Sequence, residues 1–94
     1  MNINFNQYQK KFKNKLNHYP IKWKKEQKII HLIEEVGEFA EIILQYHGYK
    51  NPKKTKHDIK IAIADIIEDL FALSLFYGID LKDVLLEIIN NEEK

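Results

Sequence analysis

The sequence predicts an all-α fold, and three observations predict it. Apolar residues recur at intervals of three and four along nearly the whole chain, turn residues cluster in only three short breaks, and no segment sustains strand-like alternation. The breaks are His18-Tyr19-Pro20, Gly48-Tyr49-Lys50-Asn51-Pro52 and Gly78-Ile79-Asp80. Proline biases the residue before it away from helical angles, and glycine ends helices readily. Ile61-Ala62-Ile63 would tolerate a strand, but its neighbours keep the helical period.

Four helices follow in order. Helix 1, about residues 4–17, carries Phe5, Tyr8, Phe12 and Leu16 on one stripe with lysines opposite. Helix 2, about residues 23–46, has an apolar face of Ile29, Leu32, Ile33, Val36, Phe39, Ala40, Ile43 and Leu44. Helix 3, about residues 56–77, opens with Thr55 as its expected N-cap. Its apolar residues, from Ile59 through Ile61, Ile63, Ile66, Ile67, Leu70, Phe71, Leu73, Leu75, Phe76 and Tyr77, surround the axis, the pattern of a buried helix. Helix 4, about residues 81–91, starts from Asp80 as N-cap and is expected to bury Leu81, Val84, Leu85, Ile88 and Ile89. A four-helix bundle is the expected architecture, in a single domain spanning residues 1–94.

Composition narrows the function. With 45% hydrophobic and 31% charged residues the chain can build both a core and a solvated surface, which excludes a disordered tail. There is no cysteine, so disulfide scaffolds and thiolate chemistry are excluded. No charge-free stretch approaches the roughly 20 residues of a membrane span, and no leader pattern opens the chain, so the expected location is cytoplasmic. A domain this small buries a modest share of its surface, which favours self-association. The net charge of +1 conceals an asymmetry: residues 1–33 hold eight lysines against Glu26, and residues 34–94 hold seven lysines against thirteen acids. Every cation is lysine, whereas base-edge and bidentate phosphate reading favour arginine. Sequence-specific nucleic-acid binding is therefore not expected, and a solvated basic face is the simpler account of the lysines.

The acidic residues raise the chemical question. Glu34, Glu38 and Glu41 share one stripe of helix 2, and Glu35 lies about 60° from Glu38, nearer the apolar border. An acidic solvent face would also look like this. Helix 3 sharpens the matter, because Asp65, Glu68 and Asp69 sit in the middle of its apolar surround. Burying a carboxylate without a partner costs several kcal/mol. The only lysines on that helix are Lys56 and Lys60 near its start, which leaves a hard divalent cation such as Mg²⁺ as an inexpensive partner. Two acidic patches sharing metal ions would suit phosphate chemistry. A bundle edge or a helix cap would equally accommodate Asp65 and Asp69.

Two motifs carry a resemblance. Leu32-Ile33-Glu34-Glu35-Val36-Gly37-Glu38-Phe39-Ala40-Glu41 resembles the first motif of the MazG-like nucleotide pyrophosphohydrolases, the all-α NTP pyrophosphatase superfamily. Ala64-Asp65-Ile66-Ile67, Leu70-Phe71-Ala72-Leu73 and Gly78-Ile79-Asp80-Leu81 resemble the second, with Asp65 thirteen residues before Gly78 as in that family. The resemblance implies a MazG-like bundle whose core is completed by homo-oligomerisation as a homodimer or homotetramer. It implies hydrolysis of ordinary or damaged (deoxy)nucleoside triphosphates to the monophosphate and pyrophosphate, with Mg²⁺ or Mn²⁺ as cofactor.

Position by position, Glu35 and Glu38 match metal ligands of the first motif and Asp65 matches the ligand of the second. Glu34 matches an acidic position that completes the cage or activates water. Ala62 stands where the family carries Glu, so Glu68 and Asp69, or Asp58 a turn before Ala62, are the replacements considered. The alternative is a catalytically impaired nucleotide- or metal-binding module of the same fold. Trp23 and Tyr46 are candidates for stacking on a base, and Lys53 and Lys54 for holding pyrophosphate, although core packing and a solvated loop account for the same residues. The four histidines form no recognisable zinc pattern.

Overall fold

The computed structural model describes residues 4–17 and 24–92, so the His18-Tyr19-Pro20 break lies outside the described residues. Four helices follow in order: α1 (Phe5–Asn17), α2 (Lys25–Tyr46), α3 (Lys56–Phe76) and α4 (Leu81–Glu92). The described residues contain no strand. The all-α expectation stands, with helix boundaries within two residues of those expected.

Helix ends are made by the residues that the sequence offers for them. Asn4 Oδ1 accepts from the Gln7 amide at the start of α1. Thr55 caps α3: its hydroxyl oxygen accepts from the Asp58 amide, and Asp58 Oδ2 accepts in return from the Thr55 amide at 2.8 Å. Asp80 accepts from the Lys82 amide at the start of α4. Both long helices end alike, with Gly48 at φ 85° and Gly78 at φ 64°. In each case the next amide reaches five residues back, Tyr49 to the Leu44 carbonyl and Ile79 to the Ser74 carbonyl. Lys53 donates to the Tyr46 carbonyl at 2.7 Å, placing a cation at the negative end of α2.

The principal contact is the α2–α3 hairpin, with α1 laid against α3 and α4 touching chiefly α1. Its seam follows a 4-3 repeat on each helix: Lys28, Leu32, Glu35, Phe39, Ile42 and Tyr46 on α2 against Ile59, Ala62, Ile66, Asp69, Leu73 and Phe76 on α3, all buried or half-buried. The α1 contact combines Phe12 stacked on Phe71, with ring centroids 4.9 Å apart, and buried Gln9 donating to the Ser74 hydroxyl and the Ile79 carbonyl.

Two burial expectations are corrected. Helix 3 is not enclosed: Ile61, Ile63, Ile67, Leu70 and Tyr77 are exposed, and Ala62, Phe71 and Ala72 are the buried apolar residues among those described. Leu85, Ile88 and Ile89 of α4 are exposed as well, while Leu81 and Val84 are half-buried. The reason is architectural. Each long helix has apolar surface on more than one side, and among the described residues α3 packs mainly on α2 and α1. On α2, Ile29, Ile33, Val36, Ala40 and Leu44 form an exposed stripe beside the seam.

Candidate functional site

The polar half of the seam lies at its open end. Lys28, His31 and Glu35 sit on the side of α2 that meets α3, where a spacing of three and four carries the seam into polar residues. Opposite them Asp69 is only 2% exposed and Lys28 5%. Lys28 Nζ lies 2.8 Å from Asp69 Oδ1. His31 Nδ1 lies 2.7 Å from Asp69 Oδ2, and because a carboxylate only accepts, the ring N–H donates there. The other ring nitrogen, Nε2, lies 3.2 Å from Glu35 Oε1, one helical turn along α2. Every buried side-chain nitrogen and oxygen among the described residues has a hydrogen-bond partner.

Glu35 joins this network to the acidic patch. Its side chain is 15% exposed. Burial pushes its carboxyl above the ordinary carboxylate value; the charges of Glu38, Asp65 and Asp69 push the same way, and His31 opposes them. Acids from two helices thus act on one another across the seam. Glu34, Glu38 and Asp65 are exposed around it. A groove of about 180 Å³ beside them is lined by Gln27, Ile30, His31 and Glu34.

The remaining acids are engaged elsewhere. Glu68, considered as a replacement ligand, pairs with Lys15 of α1 at 2.9 Å. Asp69, considered for the same role, is taken up by Lys28 and His31. Asp58 serves the α3 cap, and the two Thr55 hydrogen bonds hold its carboxyl below the ordinary value. The expectation that Asp69 lacks a lysine partner is corrected: the partner comes from α2. His31 fits no zinc spacing in the sequence because its companions are carboxylates, Glu35 on its own helix and Asp69 on another. The signal that could have found both is positional, since Lys28 falls in the same 4-3 repeat as Leu32, Phe39 and Ile42.

As a donor set, Glu35, Glu38 and Asp65 offer the hard oxygens that Mg²⁺ and Mn²⁺ prefer, with a surplus of negative charge that a cation would relieve. Their side chains are not drawn together as a closed cage: among the described residues no group of three or more His, Cys, Asp or Glu is placed to hold a metal ion. The set matches a hard cation by donor type alone, and its placement does not form a site for one.

Trp23 lies outside the described residues. Lys53 is spent on the Tyr46 carbonyl and also lies over the Tyr46 ring, 5.8 Å from its centroid. Lys54 is half-buried. Tyr46 itself lines a pocket of about 380 Å³ with Lys56, Ile59, Lys60 and Ile63, at the loop end of the hairpin. Across the described residues no helix is long and apolar enough to cross a membrane. No protein-family model, no curated protein and no solved structure matches this chain.

Proposed function

We propose that this chain is a MazG-like nucleoside triphosphate pyrophosphohydrolase, dependent on Mg²⁺ or Mn²⁺, that releases pyrophosphate and a nucleoside monophosphate. What supports the reading is that Glu38 on the same helix and Asp65 across the α2–α3 seam lie near enough to Glu35 for their charges to push its carboxyl up, the three standing where the two resembled motifs put metal ligands. Glu35, Glu38 and Asp65 would hold the cation. Bound there, it would neutralise charge on the substrate phosphates. Glu34, exposed beside the groove, takes the proton from a water that attacks the α-phosphorus. The bond from that phosphorus to the bridging oxygen breaks, and the leaving group departs as pyrophosphate. House-cleaning of non-standard nucleotides is one use of such a reaction.

The active form in this reading is a homodimer or homotetramer. The radius of gyration is 15.7 Å, where a compact chain of this length has about 12 Å. The accessible surface is 7548 Å², against about 5,700 Å² for a compact monomer of this mass. That excess is about twice the roughly 800 Å² that each partner gives to a standard interface and falls in the range of an obligate homodimer, and the exposed stripes of α2, α3 and α4 supply the apolar part.

A second reading is favoured by Ala62, which is 5% exposed in the seam where a further acidic ligand would be expected. It makes the chain a nucleotide- or metal-binding module without turnover. Pyrophosphate release across a panel of NTPs and dNTPs with Mg²⁺ decides between them. The first reading expects release that falls at least about 100-fold in Glu38→Ala. Absence of turnover in the wild type, with activity appearing in Ala62→Glu, would instead establish the second.

A further inference from the structure

A second 4-3 repeat runs along α3 beside the seam that meets α2. Lys56, Lys60, Ile63, Ile67 and Leu70 follow it, and all five are exposed. At its N-terminal end Lys56, Lys60 and Ile63 line the pocket of about 380 Å³ with Tyr46 and Ile59. Neither lysine has an ion pair or hydrogen bond among the described residues. Asp58, the acid between them, is taken up by the Thr55 cap. Both lysines stand near the positive end of α3, where cations are unfavourable, and at a spacing of four, where like charges repel.

The α4 helix carries the complementary pattern. Leu81, Leu85, Ile88 and Glu92 fall in the same 4-3 repeat, and Leu85, Ile88 and Ile89 are exposed. Its last turn has no basic residue, and Glu93 follows Glu92 in the sequence, so acids stand at the negative end of the helix. Seven residues separate Lys60 from Ile67 and Leu85 from Glu92 alike. One antiparallel register therefore sets leucine against isoleucine and the acidic end against the lysines. Each set of charges is misplaced on its own helix and well placed opposite the other.

The chain's own α4 cannot make this contact. It follows α3 directly after the Tyr77–Asp80 turn and is about 18 Å long, whereas Lys60 lies about 24 Å and Lys56 about 30 Å back along α3. The surplus surface of each copy is about twice one partner's share of a standard interface, room for both an α3 stripe and an α4 face.

We infer that two copies of this chain exchange α4 helices, each laying the Leu85–Ile88 face along the Lys56–Leu70 stripe of the other, with the acidic end of α4 at Lys56 and Lys60. A reciprocal exchange closes at two copies. The inference rests on the homo-oligomeric part of the reading above and is independent of its metal chemistry.

Sedimentation equilibrium of charge-exchanged full chains tests this, with helicity measured alongside. One variant carries Lys56→Glu and Lys60→Glu, the other Glu92→Lys and Glu93→Lys. Both sets of changes suit the helix end on which they fall, so both variants should keep wild-type helicity. Each alone should associate at least about tenfold more weakly than wild type, because like charges then face each other. An equimolar mixture should recover to within about threefold of wild type, since opposite charges meet at both contacts again. Variants as strong as wild type, or a mixture no stronger than its components, overturn the exchange and leave a dimer through another face intact. A wild type that stays monomeric at high micromolar concentration removes the oligomeric reading as well. Should a charge variant not fold, cross-linking decides, because the chain has no cysteine of its own. Copies carrying Ile67→Cys and copies carrying Leu85→Cys, mixed with a short bis-maleimide, should be joined to one another. Failure to join them in a sample that is dimeric overturns the exchange.

Discussion

Lys28 of α2 and Asp69 of α3 form an ion pair of 2.8 Å that is almost sealed from water inside the helix seam. Such pairs gain little over well-packed apolar residues, yet breaking one leaves an uncompensated buried charge. Lys28→Met should therefore destabilise the fold by about 3–5 kcal/mol. Lys28→Met combined with Asp69→Leu should recover most of that loss. Urea unfolding of the two variants checks both statements, and a double variant as unstable as the single one contradicts them.

The raised carboxyl of Glu35 makes a prediction about pH in the metal-free protein. A group whose pKa is higher folded than unfolded contributes stability below its unfolded value, and that contribution is lost as pH rises through the folded value. Glu35→Gln removes the ionisation while leaving an amide beside His31. Its thermal midpoint should exceed that of wild type by a few degrees at pH 7, and the difference should shrink by pH 4. Parallel melts across this range check it; an equal difference at both ends would refute the electrostatic account.

At the start of α3 the sign is opposite. Thr55 holds the Asp58 carboxyl below its ordinary value, so the cap's contribution is present above the unfolded value and lost as pH falls through the folded one. Thr55→Ala should cost about 1 kcal/mol at neutral pH. The cost should be smaller in acid, where Asp58 is protonated. Denaturant titrations at both pH values measure it.

Self-association should show in solution. Ile33 is 66% exposed at the centre of the α2 stripe. Sedimentation equilibrium of the wild type should give a dimer or tetramer, and Ile33→Glu should weaken it by about tenfold or more, since a charge would be buried in an apolar contact. A monomeric wild type at high micromolar concentration would count against a core completed by a second copy.

The sequence by itself determined the helices and their ends. Apolar spacing marked four segments, and Thr55, Asp80, Gly48 and Gly78 stopped or started them where expected, because caps and turns depend on a few neighbouring residues. It also singled out Glu35, Glu38 and Asp65 as candidate ligands, and in the fold the charges of Glu38 and Asp65 act on Glu35. Only the tertiary structure decided which of several apolar faces forms the seam. Ile33 and Val36 on α2 are as apolar as Leu32 and Phe39, and a helix with apolar surface over much of its circumference does not reveal which part meets its own chain. That choice put Lys28 and His31 inside against Asp69 and left Ile63 and Ile67 outside. The partner of a buried charge is set by which helix lies across from it, and that is a fact of packing at long range in sequence.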